Sequence, residues 1–148
     1  MKKWLLLLAT LGLVACSTPN VNWQQGNLAM IEQTAIQLES NLWTDQMPKA
    51  GAGAQSQNLN GTLRLETSDQ LPADLTVSEI VIKQGDSMWI IDGGMVELRT
   101  ESDNRWEVVF QSGSEVNIDR SVSVALGLSD SQGEIWLVQH KVSIDKVY

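Results

Sequence analysis

Few residues in this 148-residue chain are suited to bond-making chemistry. His140 is the sole histidine. As a general base it would need an adjacent nucleophile and an orienting third group. Many serines are present, but none sits in a Gly-x-Ser-x-Gly pattern. His140 lies in phase with Val138 and Val142, which predicts a structural histidine facing inward or at a sheet margin. Met30, Met47, Met88 and Met95 could join it as soft ligands for Cu(I). They are scattered rather than spaced as Met-x-Met, so packing is their expected use. Asp130-Ser131-Gln132-Gly133-Glu134 superficially resembles a calcium loop but lacks its second acidic residue and its length. Asp92-Gly93-Gly94 reads more simply as a turn. Eighteen acidic residues guarantee some close carboxylate pairs, so the pairing a glycosidase requires has no specificity here. Glu66, Glu97, Glu107 and Asp119 fall on polar strand phases or in turns. The sequence therefore assigns no catalytic residue, metal site or cofactor.

Cys16 is the only cysteine, which excludes an internal disulfide and a cysteine zinc cluster. Its setting is specific. Lys2 and Lys3 precede an apolar stretch from Trp4 to Ala15, broken only by Thr10 and Gly12. That stretch falls short of the roughly 20 residues a membrane span needs and fits a secretory signal instead. Leu13-Val14-Ala15-Cys16, which closes it, resembles the lipobox of bacterial lipoproteins. The resemblance covers the targeting segment alone. It implies that residues 1–15 are a cleaved signal peptide and that Cys16 is lipidated and becomes the N-terminus. Ser17 in place of Asp resembles the outer-membrane sorting pattern of Gram-negative lipoproteins, which implies an outer-membrane lipid anchor facing the periplasm.

Removing residues 1–15 leaves 133 residues with 8 basic and 18 acidic side chains, a net charge of −10. Such a body is a poor nucleic-acid binder, because phosphate neutralisation needs clustered Lys and Arg. It is also repelled by anionic lipid surfaces, so a lipid rather than charge would have to hold it there. A chain of this length can bury about 60–70% of its unfolded surface, enough for one independent core.

Residues 16–27, rich in Pro, Asn, Gln and Gly, read as a tether reaching about 15–20 Å. Trp23 within it suits either a headgroup interface or a docking site on the domain. The domain is expected over residues 28–148. From Leu28 to Trp43 a helical 3-4 spacing competes with strand alternation. The reading taken is a strand from Ala35 to Trp43 preceded by a helical turn. Met47 to Gln57 is a breaker-rich loop and a plausible place for binding. Beyond it, alternation predicts strands over Leu59–Glu66 and Leu75–Lys83, the latter with a bulge near Ser78-Glu79. Further strands follow over 88–92, 95–100 and 106–110, and Val122 to Leu128 alternates cleanly. Trp136, Val138, His140, Val142 and Ile144 are expected to line one face of a long final strand.

Seven or eight strands with short turns and no long helix predict an all-β protein, an antiparallel β-sandwich. It resembles an immunoglobulin-like domain without the paired cysteines, and a transthyretin-like sandwich or small barrel is also compatible. Five tryptophans follow Cys16 against one Phe and one Tyr. Two or three are expected between the sheets, with at least one at the surface. The expected function is a lipid-anchored, non-catalytic envelope module that binds a protein or assists assembly. The alternative is a glycan-, peptidoglycan- or metal-binding lipoprotein.

Overall fold

Period-two alternation dominates the chain after the loop region, and it produces strands throughout. The computed structural model describes residues 21–31, 33–45, 59–113 and 115–147. Cys16, the signal segment and the Met47–Gln57 loop lie outside the described residues. The strands are β1 (Leu28–Ile31), β2 (Thr34–Asp45), β3 (Leu59–Thr67), β4 (Thr76–Gln84) and β5 (Ser87–Asp92). A short 3-10 helix (Gly93–Met95) leads to β6 (Glu97–Ser102), β7 (Arg105–Ser112), β8 (Val122–Asp130), β9 (Gly133–Val142) and β10 (Ile144–Val147).

Two sheets face each other across a single core, an all-β sandwich. One sheet runs β1-β2-β3-β7-β6, with β10 also on β2; the other runs β5-β4-β8-β9. All pairings are antiparallel except β10 with β2. The core takes Ile36, Leu38 and Leu42 from β2, and Leu59, Leu63 and Leu65 from β3. Ile80 and Ile82, Val108 and Phe110, and Val124, Leu126 and Leu128 meet them from the other strands. Each such side chain contributes about 1.5–3 kcal/mol of burial free energy, largely offset by the entropy of ordering the chain. Trp106 and, less completely, Trp89 belong to this core, so two tryptophans lie between the sheets.

The hairpin of β4 and β5 turns at Gly85-Asp86, with Gly85 at φ 59° in the first central position. A tight turn that matches strand twist needs glycine there. The bulge expected near Ser78-Glu79 is present, as the β4–β8 register shifts between Val77 and Glu79.

Two expectations are corrected. No helical turn precedes β2; residues 28–31 form β1, which folds back on β2 through Gln33 at φ 68°. The apparent helical face was two strands in succession, and its first member, Leu28, is 55% exposed. The final strand does not keep one face. Val122 pairs with Val142 and Val124 with Gln139, so β9 holds one residue more than β8, and Lys141 takes φ 58°. This bulge reverses the phase. Trp136 and Val138 consequently lie on the outer face, while Leu137, Val142 and Ile144 enter the core. Among the described residues the strand count rises to ten because β1 and β10 are short pieces that share one edge of β2.

Candidate interaction surface

Cross-strand register fixes what the outer face of the β5-β4-β8-β9 sheet presents. One row is Met88, Lys83 and Ser123, with His140 hydrogen-bonded to Ser123 at the β8–β9 bulge; the next is Ile90, Val81, Ala125 and Val138; the third is Asp92, Glu79, Gly127 and Trp136. The middle row is apolar across all four strands. Val81, Ala125 and Val138 are buried although they face away from the core. They are covered by Val21 and Trp23 and flanked by Trp136. Trp136 lies across Gly127, where an added Cβ would come within 3.0 Å of its ring.

The chain is thus fixed to the sandwich from Val21 onward, and Trp23 docks on the domain. Val138 N–H donates to the Gly26 carbonyl at 3.1 Å, and Leu38 N–H donates to the Asn27 carbonyl at 2.8 Å. The Lys83 ammonium stands 5.1 Å from the Trp23 ring centre, a cation–π contact worth about 0.5–1 kcal/mol at an exposed site.

His140 is exposed on this outer face and sits at a sheet margin, on the terminal strand β9; it does not face inward, because it falls before the phase reversal at Lys141. Its Nε2 lies 2.9 Å from the Trp23 carbonyl oxygen and its Nδ1 lies 2.8 Å from Ser123 Oγ. A carbonyl can only accept, so in the neutral ring Nε2 carries the proton and donates to it, and Nδ1 accepts a hydrogen bond from the Ser123 hydroxyl. Nε2 thus ties segment 21–27 to the sheet, while Nδ1 is occupied by Ser123 on β8.

At the far end of the face, Glu79 pairs across the ladder with Asp92, and the Ser78 hydroxyl donates to Glu134 Oε2 at 2.6 Å. Burial, then the charges of Glu134 and Asp92, push the Glu79 carboxyl above its ordinary value of 4.5. Ionising Glu79 therefore costs the folded state more than the unfolded chain. Stability falls as pH rises from 4.5 through the raised value and then stays level. Glu79→Gln should raise stability at pH 7 by less than about 1 kcal/mol, given its partial exposure. The gain should vanish at pH 3.5, which paired thermal melts would check.

The other candidate ligands are spent on turns or kept apart. Asp130 Oδ1 accepts from Gln132 N–H at 2.8 Å and from Gly133 N–H at 3.1 Å. Asp92 Oδ1 accepts from Gly94 N–H at 3.1 Å and caps the 3-10 helix. Met30, Met88 and Met95 sit on β1, β5 and the 3-10 helix, all exposed. Among the described residues, no three His, Cys, Asp or Glu side chains are grouped to hold a metal.

Edges complete the surface. β1 and β10 cover the two ends of one side of β2, and the gap between them is closed by side chains. Asn27 Nδ2 donates to the Leu38 carbonyl at 3.0 Å, and Ser40 N–H donates to Gln139 Oε1 at 2.7 Å. Of the remaining terminal strands, β9 is covered in part by segment 21–27, where Val138 N–H donates to Gly26, and β5 and β6 are treated differently. β6 carries Glu97, Arg99 and Glu101, with an Arg99–Glu97 ion pair at 3.0 Å. Charge of this kind blunts an edge against pairing. β5 carries none before Asp92, and its Met88 and Ile90 are 43% and 50% exposed.

The opposite outer face is ionic. Glu39, Arg64, Glu107 and Arg99 alternate across β2, β3, β7 and β6, and Arg105 pairs with Glu66 at 2.8 Å. Trp43 lies there, half-buried beside Asn60 and Asp145.

Among the described residues, fold and surface together define a β-sandwich whose β5 edge is apolar and carries no charge before Asp92. No protein-family model matches the sequence, and a comparison with curated proteins finds no match. The β5 patch escaped sequence reasoning, although Met88-Trp89-Ile90-Ile91 is apolar in both strand phases and so signals a strand with no solvated face.

Proposed function

We propose that this protein is a lipid-anchored cell-envelope module, held through Cys16 at the periplasmic face of an outer membrane. Its immunoglobulin-like, non-catalytic sandwich binds an envelope protein or assists assembly of a complex. The supporting observation is the β5 edge, which offers backbone groups for strand addition. In an antiparallel ladder every second residue turns its N–H and C=O away from the partner strand, and the two-residue turn at Gly85-Asp86 places Ile90 among these on β5.

Pull-down from native membranes tests the reading. The lipidated protein should recover one envelope protein in stoichiometric amount, and Cys16→Ser should lose the membrane fraction. Ile90→Pro removes one outward N–H at an edge, where proline is tolerated, and should lose the partner while the fold persists. Recovery of no partner, with tryptophan fluorescence quenched by glycan fragments, would favour a carbohydrate binder instead.

A hydrolytic reading has one observation in its favour, the Ser123–His140 contact. The Trp23 carbonyl stands where an orienting carboxylate would be needed. Labelling of Ser123 by a fluorophosphonate would support that reading over ours.

A further inference from the structure

We infer that the outer face of the β5-β4-β8-β9 sheet rests on the lipid bilayer, with Met88 and Ile90 reaching the headgroup region. The inference builds on the lipid anchor at Cys16 proposed above. Its first support is covalent length. Val21 is docked on this face, and five peptide steps separate it from Cys16. Fully extended, those five steps span at most about 18 Å. A lipid on Cys16 therefore keeps Val21, and the sheet beneath it, within that distance of the membrane. The opposite outer face lies a further sheet spacing of about 10 Å away, plus the side chains on either side.

The chemistry of the two faces points the same way. The apolar row Ile90, Val81, Ala125 and Val138 is covered by Val21 and Trp23 over three strands and left open at Ile90. Lys83 lies directly across the ladder from Met88, a cation placed for lipid phosphate. Tryptophan and lysine beside an apolar patch are the residues favoured at a membrane interface. Carboxylates on this face gather at the other end, in Asp92, Glu79 and Glu134, where a tilted sheet keeps them in water. The ladder of Glu39, Arg64, Glu107 and Arg99 on the opposite face would have to be desolvated to lie on lipid.

Single-cysteine variants test this directly, because a lipid on Cys16 consumes the native thiol. Ile90→Cys, Met88→Cys and Glu39→Cys are prepared as lipidated protein in phosphatidylethanolamine–phosphatidylglycerol vesicles. The same variants in a Cys16→Ser background give soluble rates with a membrane-impermeant maleimide. Lipid on Cys16 is first verified by mass, and vesicle flotation is recorded. Cysteines at 88 and 90 should react about tenfold slower on vesicles than in solution, as apolar burial suppresses the thiolate, while position 39 keeps its soluble rate. Lipidated, floating protein with soluble rates at 88 and 90 would overturn the inference and leave the anchor standing. Absence of lipid on Cys16 would overturn both. Protection at 88 and 90 in native membranes but not in vesicles would overturn lipid contact and assign the face to a protein.

Discussion

Gly61→Val is expected to destabilise the domain by about 3 kcal/mol, the upper end of ordinary overpacking. Gly61 lies on the core phase of β3, between Leu42 on β2 and Phe110 on β7. A Cβ there would stand 2.3 Å from two carbons of the Phe110 ring and 2.8 Å from Leu42 Cδ2. The ring occupies the space glycine leaves empty, and Phe110 itself is only 3% exposed. It cannot swing aside without displacing other core groups. Valine's better strand propensity offsets less than about 1 kcal/mol of that clash. Urea midpoints of Gly61→Val, Phe110→Leu and the double variant would test the cause. The glycine substitution should cost clearly less where Phe110 is already leucine. Additive losses would show that the ring is not what the new side chain meets.

Val81→Asp should release segment 21–27 while leaving the sandwich folded. Val81 is fully buried, yet it faces away from the core beneath Val21 and Trp23. A carboxylate cannot remain under that cover without a partner, and peeling the segment away is the least costly escape. The loss of stability is then bounded by what docking the segment contributes, about 2–3 kcal/mol from a few apolar side chains. Hydrogen exchange gives a local readout. The Val138 amide, which donates to Gly26, should lose protection, while the amides of Leu63 and Leu126 keep theirs. Loss of protection at all three would show that the segment is integral to the core.

How much of this was legible depended on whether a feature left a mark on hydrophobic period. The β4 bulge did, since the apolar phase slips between Val77 and Ile80, and the register shifts at that point. The β4–β5 hairpin did, through Gly85. The β9 bulge did not. Its extra residue is a lysine with positive φ, a conformation glycine normally signals, so the alternation from Trp136 to Ile144 looked unbroken. The inward alternative for His140 failed for the same reason, while its place at a sheet margin held. Docking of segment 21–27 was half legible: Trp23 suited either a headgroup interface or the domain, and the polar composition around it could not choose, since its apolar contacts come from Val21 and Trp23. A glycine beneath a tryptophan, as at Gly127, cannot be read from one strand, since the partner is nine residues on and meets it only across the ladder.

The shared edge of β2 also governs the order in which the fold can be made. β1 and β10 sit side by side on one strand although more than a hundred residues separate them, and β10 joins in parallel. Contacts so distant in sequence must wait until most of the chain is present, which slows folding relative to local hairpins. Until residues 144–147 arrive, one end of β2 stays an open template for other strands. A chain emerging from its N-terminal side therefore needs either protection or speed in that interval.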